Sequence, residues 1–313
     1  KRSDVVVNNF SAHVMDKLGL GYEKAKELKP DIIYLSMPMQ GATGPHSRYK
    51  GYGLTIGALS GLYALTGHTD EEPCGTGTNY PDHAPNPLHG AIAILAALYH
   101  RKKTGKGQFI ELSQFESTVN MLGPALMDAA NNGKVAERMG NHSLDAAPHN
   151  VYPCRGEDRW IAIAVESEAE WEGFKKALGH SESLADARFE RMEDRKKHEE
   201  KLDRLIASIT AEWDAELLFK RLQEHRVKAG VVKNAEEVLR DEQLLARDHW
   251  VYLDHPEMGR SVYDAPPYKF TRLKSGLRSA APLLGEHTKY VCQQILNMDD
   301  ATFEALNEKG VFH

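Results

Sequence analysis

The sequence has only three cysteines in 313 residues, Cys74, Cys154 and Cys292, widely spaced and without a CxxC pair. So sparse and odd a set excludes a disulfide framework and a cysteine-based metal or redox site, and it suits a reducing, cytoplasmic compartment. Long apolar runs are equally scarce. The most apolar stretch, Ala91 to Leu98, is far shorter than the roughly 20 residues a membrane span requires. Excess positive charge is also missing. The 39 Lys and Arg stand against 45 Asp and Glu, a net charge of -6 with both signs interspersed, which excludes the basic surface of a nucleic-acid-binding protein. With 41% apolar and 27% charged residues, the composition is that of a folded globular chain rather than a disordered one.

Several familiar chemical signatures are absent as well. Gly51-Tyr52-Gly53 and Gly75-Thr76-Gly77 lack the third glycine of a dinucleotide loop, and neither opens a helix directly after a strand. Thr104-Gly105-Lys106-Gly107 lacks the upstream Gly and the Ser/Thr of a P-loop. Fifteen histidines include no HExxH, so no metal site is expected, and there is no GxSxG nucleophile elbow.

What is present reads as α/β. Lys1 to Asp4 run straight into Val5-Val6-Val7, a buried strand rather than a signal peptide, and the lack of an initial Met suggests a fragment. A strand over Asp4 to Val7, helices over Ala12 to Leu18 and Tyr22 to Leu28, and a strand over Asp31 to Met37 make a βαβ unit with a parallel sheet. A small-residue helix spans Leu54 to Leu65, and a long loop spans Thr66 to Asn86. Loops of that length in a compact domain are usually functional or disordered.

Next comes a helix over Pro87 to Lys103 with Asn86 as N-cap, its middle (AIAILAALY) apolar nearly all round and so expected in the core. Gln108 to Ser113 reads as a strand and Gln114 to Asn131 as a helix. A second region begins near Val151, with a strand at Trp160 to Val165, a helix at Glu168 to Leu178 and a charged helical stretch at 181 to 226. Gly230 to Val232 returns to strand, Ala235 to Arg247 to helix, Leu273 to Leu284 is a connection, and His287 to Leu306 is helical. This organisation predicts a large α/β domain over 1–150, a smaller α+β lobe over 151–270 and a return segment over 271–313.

One residue stands out chemically. Asp82 lies in Tyr80-Pro81-Asp82-His83-Ala84-Pro85-Asn86-Pro87, just ahead of the apolar helix. A carboxylate before a helix N-terminus sits in a positive field, and flanking prolines stiffen its loop, which suits an anionic nucleophile. From spacing alone, the ordinary role of such an aspartate is to cap or turn the chain.

Longer stretches carry a resemblance. Asp4 to Phe10 (DVVVNNF), Met15 to Gly21, Leu28 to Ser36 with Gly41 to Pro45, His89 to Gln108 (HGAIAILAALYHRKKTGKGQ) and Asn150 to Arg155 occur in order. They are followed by Ala229 to Val232, Leu253 to Glu257, Ala265 to Pro267 and Ala281 to Thr288. Together they resemble the family III CoA-transferases along essentially the whole chain.

The resemblance implies an open parallel-sheet core that binds coenzyme A, a smaller lobe, and two copies threaded into an interlocked dimer, with Lys134 to Tyr152 and Arg272 to Leu284 as the wrapping connections. It places the nucleophilic aspartate at Asp82. It places CoA contacts at Asn9 and Phe10, at Lys17 as a phosphate partner, and at Pro38, Gln40 and Gly41 lining the CoA channel. The substrates implied are an acyl-CoA and a free carboxylic acid, with CoA as part of the substrate and no tightly bound cofactor or metal. Family members begin with further βα units that carry part of the CoA site. Their absence here predicts weak CoA binding by the chain alone, or a heteromer in which another chain supplies them.

No run of glycines lies between Met139 and Asn150, unlike formyl- and oxalyl-transferring members, so larger aromatic or dicarboxylic acids are expected. Two other readings stand beside CoA transfer. One is an acyl-CoA racemase of the same family, whose members carry a His in the segment matching Gly51 to Gly57, where this chain has none. The other is a non-catalytic partner subunit of a two-chain transferase.

Overall fold

Three short strands rich in β-branched and aromatic residues form the parallel sheet that the front of the sequence predicts. In the computed structural model, which describes residues 2–179 and 182–312, β1 (Val5–Asn8) pairs with β2 (Ile33–Ser36), and β2 pairs with β3 (Gln108–Glu111), all parallel. The register sets Asn8 beside Ser36 and Ser36 beside Glu111 at the carboxyl edge. Central β2 is buried on both faces, with Ile33, Tyr34 and Leu35 at most 2% exposed. The edge strands are not, and Val7 and Phe109 are about half exposed.

Between β1 and β2 lie α1 (Val14–Lys17) and α2 (Tyr22–Leu28). The first is shorter than expected because His13, at φ 63, is left-handed and Gly19 ends the turn at φ 69.

The crossover from β2 to β3 carries α3 (Gly53–Leu59), a 3-10 turn, α4 (Tyr80–His83) and α5 (Pro85–Thr104). Gly90 seats α5 on the sheet: a Cβ there would stand 3.3 Å from Leu35 Cδ2 and 3.2 Å from Met37 Sδ. Two expectations about α5 are corrected. Its N-cap is Ala84, so Asn86 is a buried residue inside the first turn. Nor is the helix covered all round within the chain. Leu88, Ile92, Leu95 and Tyr99, at i, i+4, i+7 and i+11, form an exposed apolar stripe.

The helix expected from Gln114 to Asn131 is divided into α6 (Gln114–Val119) and α7 (Gly123–Asn132) by a 3-10 turn before Gly123-Pro124. Proline lacks an N–H and cannot continue the ladder. Ser113 Oγ caps α6 by accepting the Glu116 N–H.

The following segment folds around β4 (His149–Pro153) and β5 (Trp160–Ala164), which are antiparallel, with β6 (Lys228–Val231) next in the order β4-β5-β6. Helices α8 (Glu168–Ala177), α9 (Met192–Lys197), α10 (Glu199–Thr210) and α11 (Ala215–Glu224) surround a core of Ile161, Ile163, Trp171, Phe174, Leu202 and Leu218. The charged helical stretch is thus largely as expected, its first residue, Ser181, lying outside the described residues. Arg195, fully buried, ties the helices together by donating to the carbonyls of Ala147, Phe189 and Glu190 and to the Glu168 carboxylate.

The chain divides into two compact units, one ending at Gly230 and the other beginning at Val231. The boundary expected at 150/151 falls inside β4. In the second unit the helix expected over Ala235 to Arg247 is split into α12 (Ala235–Leu239) and α13 (Glu242–Ala246), because Asp241 caps the latter through the Gln243 and Leu244 N–H groups. The hairpin of β7 (Trp250–His255) and β8 (Gly259–Asp264) is an addition to the sequence reading. Its turn ends at Gly259, φ 70. The tail comprises α14 (Thr288–Tyr290), a π turn at Val291–Ile295 and α15 (Asp300–Glu308). Among the described residues no helix is long and apolar enough to cross a membrane.

Candidate active site

Asp82 sits in the single turn of α4, where the N–H groups of Asp82 and His83 both bond the Asn79 carbonyl. The turn aims its half-buried carboxylate back at the start of α3, and Oδ2 accepts the Gly53 N–H at 2.9 Å. Position 53 tolerates no side chain in this arrangement: a Cβ there would stand 2.5 Å from Oδ2 and 2.6 Å from Asn79 Cβ. Gly53 therefore makes the seat of the carboxylate. The amino end of α3 adds its field to that of α5.

Two residues downstream of α4 the chain enters α5, and Asn86 joins it to the sheet's carboxyl edge. Asn86 Nδ2 donates to Gln114 Oε1 at 3.0 Å, Gln114 Nε2 donates to the Met37 carbonyl at 2.6 Å, and Ser117 Oγ donates to Asn86 Oδ1. The N–H groups of Gln114 and Phe115 take the next two carbonyls, Pro38 and Met39, at 3.3 and 2.9 Å. The segment after β2 is thus pinned along its length. At its far end Gly41, at φ 86, turns the chain so that the Ala42 N–H reaches the Glu111 carboxylate at 2.6 Å.

The residues singled out in the sequence fall on this edge. Asn9 and Phe10 are exposed just after β1, and the Asn8 carbonyl accepts the Met37 N–H. Pro38 and Gly41 are buried and Gln40 is half-buried in the pinned segment, while Lys17 is exposed at the end of α1. A cleft of about 300 Å³ opens beside them, lined by Asn8, Tyr22, Tyr34, Ser36, Phe109 and Glu111. It is lined by their neighbours rather than by the six expected CoA contacts themselves. Asp16, Glu23 and Glu111 give it an acidic rim that repels phosphate. Burial, reinforced by Asp16, raises the Tyr34 phenol above its usual range, and the hydroxyl donates to the Leu20 carbonyl. Ligands of open parallel sheets bind outside the carboxyl ends of the strands, which is where this edge lies.

A second polar cluster went unseen in the sequence. His142 Nε2 lies 2.9 Å from Asp203 Oδ2, which also accepts from Asn150 Nδ2 at 2.9 Å, while the Tyr152 hydroxyl donates to Oδ1 at 2.5 Å. Burial first, and the Asp203 charge second, hold the Tyr152 phenol far above its usual range. It borders a larger cleft of about 550 Å³ at the edge of β4 and β5. Its groups satisfy one another. Asp82 was legible as a candidate by its local sequence, but nothing in sequence spacing announced this cluster or the bonds of Gln114 to Asn86 and Met37, 28 and 77 positions away.

The fold agrees with comparison to known proteins. The profile of CoA-transferase family III matches residues 1–288, and the chain belongs to that family, a family of enzymes. It is 27% identical to the succinyl-CoA--D-citramalate CoA-transferase of Chloroflexus aurantiacus across 98% of this chain and 76% of that protein. It is 29% identical to the formyl-CoA:oxalate CoA-transferase of Streptomyces coelicolor across 99% of this chain and 78% of that one. A crystal structure of a CaiB/BaiF family protein from Brucella suis superposes with a TM-score of 0.83 at 30% identity, covering 94% of this chain and 75% of its own.

Proposed function

We propose that the protein moves CoA from an acyl-CoA thioester to a free carboxylic acid with Asp82 as the covalent nucleophile. The observation that carries this reading is the bond between Gly53 N–H and Asp82 Oδ2, which fixes one carboxylate oxygen and leaves the other to attack. Oδ1 adds to the thioester carbonyl, the C–S bond breaks, and CoA leaves as thiolate from an acyl-aspartyl anhydride. The thiolate then attacks Asp82 Cγ and expels the first acid as its carboxylate, leaving an aspartyl-CoA thioester. The acceptor carboxylate attacks Cγ in turn, releasing the thiolate and forming the second anhydride. Thiolate attack on the acyl carbonyl of that anhydride yields the new acyl-CoA and free Asp82.

Each attack at Cγ puts negative charge on Oδ2, and the Gly53 N–H already points there, as an oxyanion donor must. CoA lies along the carboxyl edge of the sheet, over Asn9, Phe10, Pro38, Gln40 and Gly41, with Lys17 at a phosphate. The acceptor is a dicarboxylic acid, a class to which D-citramalate and oxalate, in the names of the two relatives, belong. The exposed stripe of Leu88, Ile92, Leu95 and Tyr99 supports pairing of two copies. The three unpaired cysteines suit a reducing compartment.

The racemase reading requires a base and an acid on opposite sides of the α-carbon. Of His46, His83 and His89, the histidines that could serve, His89 has Nδ1 on the Pro85 carbonyl at 2.8 Å and so offers only Nε2. Transfer through an anhydride touches only the carbonyl carbon. In heavy water, an acyl-CoA with an α-hydrogen is expected to exchange its acyl group with a free acid without gaining deuterium. Enzyme-dependent deuterium uptake without an acceptor acid overturns transfer in favour of racemisation.

A further inference from the structure

The side chain of Gln114 touches both segments that the reaction must hold together. Its Nε2 donates to the Met37 carbonyl, at the root of the segment expected to line CoA, and its Oε1 accepts from Asn86, four residues beyond Asp82. A primary amide is the side chain that donates at one end and accepts at the other without charge. The arrangement is paired in the interior. Asn86 is 1% exposed and Ser117 3%, and the Asn86 side-chain oxygen Oδ1 accepts from the Ser117 hydroxyl. Because α5 is seated on Leu35 and Met37 through Gly90, the end of β2 and the residue just after it receive both the helix that follows the nucleophile's loop and the amide that braces it.

We propose that Gln114, with Asn86, is a positioning residue that sets the distance between the CoA-lining segment 37–41 and the Asp82 carboxylate. This rests on the reading of Asp82 as nucleophile. Gln114 touches no reacting atom. Its effect falls on the alignment of thioester and carboxylate, where a displacement of about 1 Å costs on the order of a hundredfold in rate. Binding of the thioester also draws on Asn9, Phe10 and Lys17, which Gln114 does not touch, so it is weakened less than the rate.

Two substitutions separate positioning from mere folding. Gln114→Ala removes both bonds. Gln114→Glu keeps the acceptor for Asn86 but, when ionised, has no donor for Met37 and sets a charge against a carbonyl; a protonated carboxyl restores the donor. The experiment measures acyl exchange with the best wild-type donor among succinyl-CoA, formyl-CoA and acetyl-CoA, together with amide hydrogen exchange of the free protein, which needs no activity.

In Gln114→Ala, kcat is expected to fall about tenfold or more, a larger factor than the rise in KM for the thioester. Amide protection is expected to drop in 37–41 and 78–86 together while β4 and β5 keep theirs. Gln114→Glu is expected to regain kcat, relative to wild type, as pH falls. Asn86→Ala combined with Gln114→Ala is expected to cost little more than either alone. Unchanged protection in either segment of Gln114→Ala, a wild-type kcat, or additive losses in the double variant overturns the proposal. An active Asp82→Asn protein instead overturns the nucleophile reading, and the hydrogen-exchange result stands apart from it.

Discussion

The Gly53 N–H donates to Asp82 Oδ2 at 2.9 Å, and a Cβ on residue 53 would stand 2.5 Å from that same oxygen. A glycine is needed here for close approach, because the backbone itself is the carboxylate's partner. Gly53→Ala is therefore expected to push the α4 turn away. Its cost in stability is about 1–3 kcal/mol, as for overpacked sites, and its cost in exchange rate is on the order of a hundredfold. Urea denaturation and steady-state exchange on the same preparation check both values.

The sheet offers a purely structural counterpart. A Cβ on Gly107 would stand 2.1 Å from the Ile32 carbonyl oxygen, the acceptor of the Gln108 N–H that begins the pairing of β2 and β3. Backbone cannot yield as a flexible side chain does. Gly107→Ala is expected to destabilise by about 3 kcal/mol or more, seen as a lower denaturation midpoint, with the loss of activity following the loss of folded protein.

Glu168 tests the electrostatics of the helical segment. Partial burial pushes its carboxyl up, but the bond and charge from Arg195, with the Met192 N–H, outweigh this and hold it below the ordinary glutamate value of 4.5. A carboxylate with a lowered folded pKa contributes stability that is complete above the unfolded value and is lost as pH falls through the folded one. Wild type is therefore expected to exceed Glu168→Gln by about 1 kcal/mol at neutral pH, a modest figure because the carboxylate is more than half exposed. The gap should close as pH drops below about 4.5. Denaturation curves at several pH values measure it, and a gap that widens on acidification contradicts the assignment.

How much of this was legible beforehand depends on the range of the interaction. The apolar run Ile32 to Leu35 announced a buried parallel strand, and the Pro-bearing loop with Asp82 announced a candidate nucleophile, because both signals are local. Asn86 was misread as a cap: Ser, Asn and Asp before a helix usually cap it, but here its side chain turns inward to Gln114. The apolar α5 was read as core because composition alone does not say which face of an apolar helix its own chain covers. The hairpin β7–β8 has its alternation in Trp250, Tyr252 and Val262, interrupted by a turn the sequence reading took only as part of a longer resemblance. Gly53 carried no warning, since its importance lies in an oxygen 29 residues away.

The most direct test of the central claim is to trap the intermediate on the protein. Hydroxylamine added during turnover attacks an acyl-aspartyl anhydride or aspartyl thioester at Cγ and leaves a hydroxamate, which peptide mass spectrometry locates. The account predicts the hydroxamate at Asp82 in wild type, none in Asp82→Asn, and a folded Asp82→Asn protein whose exchange is reduced by several orders of magnitude, because an amide cannot form the anhydride. Modification at a different residue, or near-normal exchange by folded Asp82→Asn, contradicts it.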